Sequence, residues 1–291
     1  MRVDPYKNKE RWLNWKARTT QGIPDISKHN STLILQYLND MEKGINISSV
    51  NRKGGRSYIR LNALKARIIF IIKQLENRFK LNNIIFLKEE QLLDFFARMR
   101  NGEIKTKDGK KYKSVCDYAK IFKAFWHWYQ KSSKKQGKEI PDITVDLDTS
   151  RYKPEWVYLN EEQVKKLCDN ASFDYRVLIM FLFDTGIRAP TELINIKVSD
   201  LSSDCKELYI RDEISKTFGR RIKLLLCSEL LKEYIKKNNL GQENYLFPIT
   251  PYIVNRYLKR LKEKKLWRLR IGKFRAEADA VSYTHLTLPT N

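Results

Sequence analysis

Arg188 follows Gly186 in FDTGIRAPTEL, at a break between two apolar runs. An arginine at a rigid junction can aim its planar, five-donor fork at a phosphate, and the amides of a nearby helix start add donors for the same anion. Glu192, four residues on, is an acid able to hold that guanidinium in position. Lys216 stands in ISKTFGRR, in the turn between two β-compatible runs, KELYIRDE and RRIKLLL. A lysine on a short hairpin can reach into a polyanion and give a proton to an alkoxide as it departs. Arg220 and Arg221 beside it are expected to add phosphate contacts. Taken singly, each of these cations is also an ordinary charged turn residue. Their order along the chain is what joins them.

A polyanionic partner fits the whole composition. The 291 residues hold 57 Lys plus Arg against 34 Asp plus Glu, a formal charge of +23. Such an excess attracts phosphates with a salt-dependent affinity. Hydrophobic residues make up 42%, enough for packed cores, and the length suits two of moderate size. The apolar runs IIFII (68–72) and VLIMFLF (177–183) are too short to cross a bilayer. The first residues, MRVDPYKNKERWLNWK, contain no continuous apolar segment, so a cytoplasmic location is expected and a membrane is not. Cys116, Cys168, Cys205 and Cys227 are widely spaced and form no disulfide or zinc pattern. His29 and His127 lack a second metal ligand nearby, and no cofactor or metal is expected.

The elements that would position these residues fall into two groups. The first is helical. HNSTLILQYLNDMEKG carries apolar residues near a helical period and ends at Gly44; YIRLNALKARIIFIIKQLENRF presents Leu61, Leu64, Ile68, Ile72 and Leu75 as one stripe. LKEEQLLDFFARMR stops at Asn101-Gly102, the basic loop EIKTKDGKKYKS follows, and VCDYAKIFKAFWHWYQK puts Val115, Tyr118, Phe122, Phe125 or Trp126, and Tyr129 on a broad buried face. Lys107, Lys110 and Lys111 in that loop are expected DNA contacts. SSKKQGKEIPDITVDLDTSRYKPEW reads as a linker. The second group opens with LNEEQVKKLCDNA, where Asn160 and Gln163 form a capping box. A buried helix follows up to Gly186, then a helix in APTELINIKVSDL, the hairpin, and two helices with basic faces. The expected divisions are an extension at 1–27, a helical domain at 28–136, a linker at 137–155 and a mixed domain at 156–280.

FDTGIRAPTELINIKVSDL, then ISKTFGRRIKLL, behind a helical domain and linker, resembles the tyrosine recombinases, or phage-type integrases, of archaeal type. The likeness covers roughly residues 28–275. It implies a mainly α, two-domain fold: a helical core-binding domain, then a mixed α+β catalytic domain with a small hairpin. Arg188 would be the first catalytic arginine, on the scissile phosphate; Lys216 would be the general acid toward the 5′-oxygen, and Glu192 a supporting acid. The partner would be double-stranded DNA, with protomers assembling on paired sites. Two departures stand out. The family's acid comes three residues after this arginine, whereas Glu192 comes four after, a shift of roughly 100° on a helix. The family's His-x-x-Arg and late nucleophilic tyrosine are also missing.

The chain instead runs into VSYTHLTLPTN. His285 is followed by Leu288 and Pro289, Tyr283 precedes the histidine, and residues 281–291 carry no Lys, Arg, Asp or Glu. This stretch resembles translated sequencing adapter. The expectation is a truncated chain with an artefactual end at 281–291, in which neither His285 nor Tyr283 is catalytic. Two functions follow. One is a parent enzyme that recombines DNA through a 3′-phosphotyrosine, this chain binding DNA without turnover. The other is a non-cleaving DNA-binding regulator.

Overall fold

A computed structural model describes residues 3–45, 54–151, 159–216 and 218–261, the side chains at 251 and 259 excepted. Residues 281–291, with Tyr283 and His285, lie outside them, as do residues 46–53 and part of the expected 137–155 linker. The fold is mainly helical, in two compact units with a small antiparallel hairpin in one of them. One unit is Lys7–Pro154; the other joins Met1–Tyr6 to Glu155–Asn291.

The Lys7–Pro154 unit is built from α1 (Asn8–Arg18), α2 (Lys28–Lys43), α3 (Tyr58–Phe79), α4 (Glu89–Asn101) and α5 (Val115–Lys134). The stripe read from the sequence of α3 is its buried face: Leu61, Leu64, Ile68, Ile72 and Leu75 are all inside. On α5 both alternatives, Phe125 and Trp126, are buried, while Tyr118 and Tyr129 pack at the margin. Tyr37 of α2 meets Phe125 and Trp128 edge-on at 5.2 and 5.1 Å. Burial pushes its hydroxyl up to about 12. Buried polar atoms are paired: Trp128 donates to Asp40 at 2.9 Å, and Asn30 accepts the Ile84 amide while donating to Glu76.

Two stretches outside the expected 28–136 domain pack on this unit. Trp12 of α1 is buried and donates to Glu42, so residues 8–18 contribute a helix to the core. Ile143 and Leu147 are buried against the same core, and Trp126 donates to the Pro141 carbonyl. A few apolar side chains suffice to lay an otherwise polar stretch onto a helix.

The other unit contains α6 (Glu161–Asp169), α7 (Phe173–Thr185), β1 (Glu207–Ile210), β2 (Arg220–Lys223), α8 (Ser228–Lys237) and α9 (Pro251–Leu261). Asn160 and Gln163 cap α6 reciprocally, as their spacing predicts. Val177, Phe181, Leu193, Leu208, Ile210, Leu231 and Phe247 form its main core. The helix expected in APTELINIKVSDL is absent. Residues 189–192 form a turn, and 3-10 turns follow at Leu193–Asn195 and Val198–Asp200. Local propensity favours a helix there; the polar side chains of this segment instead find distant partners, described next.

Candidate functional site

Helix α7 stops at Gly186, whose φ of 56° is the left-handed conformation that glycine adopts freely, with its amide bonded to the Leu182 carbonyl. Just before the stop, Asp184 accepts the amides of Leu225, Leu226 and Cys227 at 3.2, 2.8 and 3.1 Å. That carboxylate ties the end of α7 to the chain leaving β2. Burial, joined by the hydrogen bond and negative charge of Asp184, pushes the Cys227 thiol far up, so it stays protonated and unreactive. All four cysteines are free and buried.

Arg188 emerges directly from this stop, about a quarter exposed. Its carbonyl accepts the Glu192 amide at 3.0 Å, and its own amide donates to Glu192 Oε2 at 2.9 Å. Its guanidinium Nη1 lies 3.6 Å from Glu192 Oε1. The segment is a turn rather than an α-helix, so the angular penalty expected for a four-residue spacing does not arise. The turn brings the acid back onto the arginine.

Glu192 is 1% exposed and has a second cationic partner. Arg220 donates from Nη1 to Oε1 at 3.1 Å and from Nη2 to Oε2 at 2.8 Å, the two-pronged pairing that guanidinium and carboxylate geometry favours. A carboxylate this deeply buried needs such compensation. The two arginines therefore share one buried acid.

Arg220 opens β2, which pairs with β1 in the register Glu207–Lys223, Leu208–Ile222, Tyr209–Arg221 and Ile210–Arg220. Residues 211–219 connect the strands and carry Lys216, which is exposed and has no hydrogen bond or ion pair with another described residue. Gly219 closes the stem: its amide donates to Asp212 at 2.6 Å, and a Cβ there would sit 2.7 Å from the Ile210 carbonyl oxygen. Arg211, across the stem, donates from Nη2 to the Asn195 carbonyl at 2.8 Å. Its Nε lies 2.8 Å from Asp200 Oδ1, and it also pairs with Glu213. Asn195, buried, accepts the Val3 amide at 2.6 Å and donates to the Val3 and Thr191 carbonyls.

Among the residues singled out in the sequence, Arg188, Glu192 and Arg220 are in contact, and Lys216 belongs to the connection Arg220 ends. Arg221 faces outward, exposed, opposite Tyr209. Lys107, Lys110 and Lys111 belong to the other unit, exposed on a tight turn that the Lys105–Lys111 bridge and the Thr106 amide bond to Lys110 close. The sequence reading missed Asp184, Asn195, Asp200 and Arg211. The signal that could have found them was the pair of arginines flanking the hairpin connection symmetrically. No group of acids, cysteines and histidines that could hold a metal occurs among the described residues, and no described helix is long and apolar enough to cross a membrane.

Residues 157–285 match the phage integrase family. A lambda integrase tetramer bound to a Holliday junction is similar in structure, with 16% identity, 90% of this chain and 76% of that chain covered, and a TM-score of 0.57. An integrase of the Tn1549 transposon in complex with circular intermediate DNA is also similar, with 16% identity, 84% and 82% covered, and a TM-score of 0.57. The same transposon integrase bound to transposon right end DNA covers 80% and 78%, with a TM-score of 0.54 at 15% identity. At such identities the likeness is one of fold. No curated protein sequence matches the chain.

Proposed function

We propose that the chain is a member of the tyrosine recombinase and phage integrase superfamily, whose activity is DNA recombination and integration, and that it grips duplex DNA and turns Arg188 and Lys216 toward one phosphate. Arg188 neutralises charge on the scissile phosphate, and Glu192 holds Arg188 in place. Lys216 protonates the departing 5′-oxygen. The observation that carries this reading is the buried Glu192 carboxylate, which joins the Arg188 turn to the stem of the Lys216 hairpin. Lys107, Lys110 and Lys111 supply phosphate contacts from the helical unit, and Arg221 supplies one from the hairpin. The net charge of +23 provides the long-range attraction.

In the complete reaction a tyrosine hydroxyl attacks phosphorus, forming a 3′-phosphotyrosine and releasing a 5′-hydroxyl. The covalent link conserves the broken ester bond, so no metal or cofactor is required. A second arginine in a His-x-x-Arg motif belongs to that chemistry. The chain has three histidines, and the third residue after each is Thr32, Gln130 and Leu288. On this reading the chain binds DNA without turnover, because none of its histidines carries the arginine of that motif. The same missing motif favours a second reading, a regulator that binds DNA and never cleaves. Self-assembly on paired DNA sites, by analogy with the lambda integrase tetramer bound to a Holliday junction, is part of the first reading.

Titrating a duplex across a salt series tests the binding claim. The log of the association constant should fall linearly with log salt, by about 0.9 per phosphate neutralised. Arg188→Ala should weaken binding only modestly, because many cations remain. Affinity independent of salt would contradict the proposal.

A further inference from the structure

The sequence pattern offers Arg220 to DNA, but in the fold its fork is already occupied. Both terminal nitrogens bond a carboxylate that is 1% exposed, and that carboxylate also takes the Arg188 amide. Releasing Arg220 to a phosphate would strand a buried negative charge. Its position matters as much as its partner: it is the first residue of β2, where the Lys216 connection ends. Gly219, immediately before it, is locked against Ile210 and Asp212, so little slack separates the anchor from the connection.

We propose that Arg220 is a positioning residue: through Glu192 it fixes the stem of the Lys216 hairpin to the turn that presents Arg188, so that the two phosphate-facing cations are held as a pair. This rests on reading Arg188 and Lys216 as phosphate-facing. Arg211 provides an internal contrast. It anchors the other side of the stem, but to Asn195 and Asp200 rather than to the acid that holds Arg188. Loosening Arg211 frees the hairpin alone, whereas loosening Arg220 frees the hairpin and the Arg188 turn together. Lysine cannot replace Arg220 fully, because one ammonium cannot fill both prongs of the pairing.

The test uses the full chain and two readouts. In amide hydrogen exchange, Arg220→Ala should accelerate exchange in both 211–219 and 187–192, while Arg211→Ala should do so in 211–219 only. Glu192→Gln, which keeps the side chain's shape, should reproduce the Arg220→Ala pattern, and Arg220→Lys should fall between. In duplex binding, Lys216→Ala should cost affinity severalfold in the wild-type background, less in Arg220→Lys and nothing further in Arg220→Ala. A merely structural role would leave the two losses multiplying independently. Exchange rising in 211–219 alone on Arg220→Ala, or an equal Lys216→Ala loss in both backgrounds, would overturn the proposal. If the wild-type chain binds no duplex, the DNA reading fails, and the exchange pattern alone decides whether Arg220 couples the two segments.

Discussion

The two units are held together by different means. In Lys7–Pro154, five helices bury long apolar stripes and a cluster of aromatic rings around α5. In the unit that carries Arg188, the elements are shorter and the turn after Arg188 is fixed by polar side chains: Asp184 on three amides, Glu192 on two arginines, Asn195 on Val3, and Asp200 on Arg211. Apolar packing tolerates rearrangement and is indifferent to direction. A hydrogen-bonded carboxylate specifies one geometry and is costly to leave unpaired. A unit meant to hold cations at fixed positions gains from the second kind of construction. The first kind suits a scaffold.

The sharpest way to break this contrast is to cut the apolar core. Phe125→Ala, at a fully buried ring contacting Tyr37 and Trp128, should cost about 3–5 kcal/mol. Thermal unfolding checks the size, and hydrogen exchange should place the loosening in 28–43 and 58–134. A smaller effect is expected from Asn195→Ala, about 1 kcal/mol, because it removes part-buried hydrogen bonds to exposed Val3 and half-buried Thr191. Here exchange should rise at 187–195 and leave 58–134 unchanged. A loss spread evenly over both units would contradict the contrast.

The smallest effect concerns pH. Burial acts to raise Asp142, but its hydrogen bonds from Thr144 and the contact with His127 outweigh it and hold the carboxyl below its ordinary value. A depressed carboxyl contributes stability above its unfolded pKa and loses it as pH falls through the folded value. The helical unit should therefore lose a small increment below the usual aspartate range. Asp142→Asn should remove that slope, as a series of melting temperatures between neutral and acidic pH would register.

The same contrast explains what the sequence disclosed. Helix α3 is legible to the residue because an apolar stripe at helical spacing is a local signal that burial only ratifies. The Asn160 capping box and the Gly186 stop are legible for the same reason, and they place Arg188. Helix α1 is not, since a single buried tryptophan, Trp12, holds it down. The turn after Arg188 reads as helix because TELINI has helical composition. Its actual conformation depends on Arg220, 28 residues beyond Glu192, and on Val3, 192 residues before Asn195. No window of sequence contains those partners. For that reason Arg220 reads as one more surface cation, when its fork is spent on a buried acid.

The most direct test of the central claim is a nicked suicide duplex, which traps any covalent intermediate, run on native and denaturing gels. The chain should shift the duplex on the native gel, more weakly as salt rises, and leave no protein–DNA adduct under denaturing conditions. A form of the protein supplying a His-x-x-Arg arginine and a late tyrosine should form an adduct that Arg188→Ala abolishes. An adduct formed by this chain and lost in Tyr283→Phe would contradict the account.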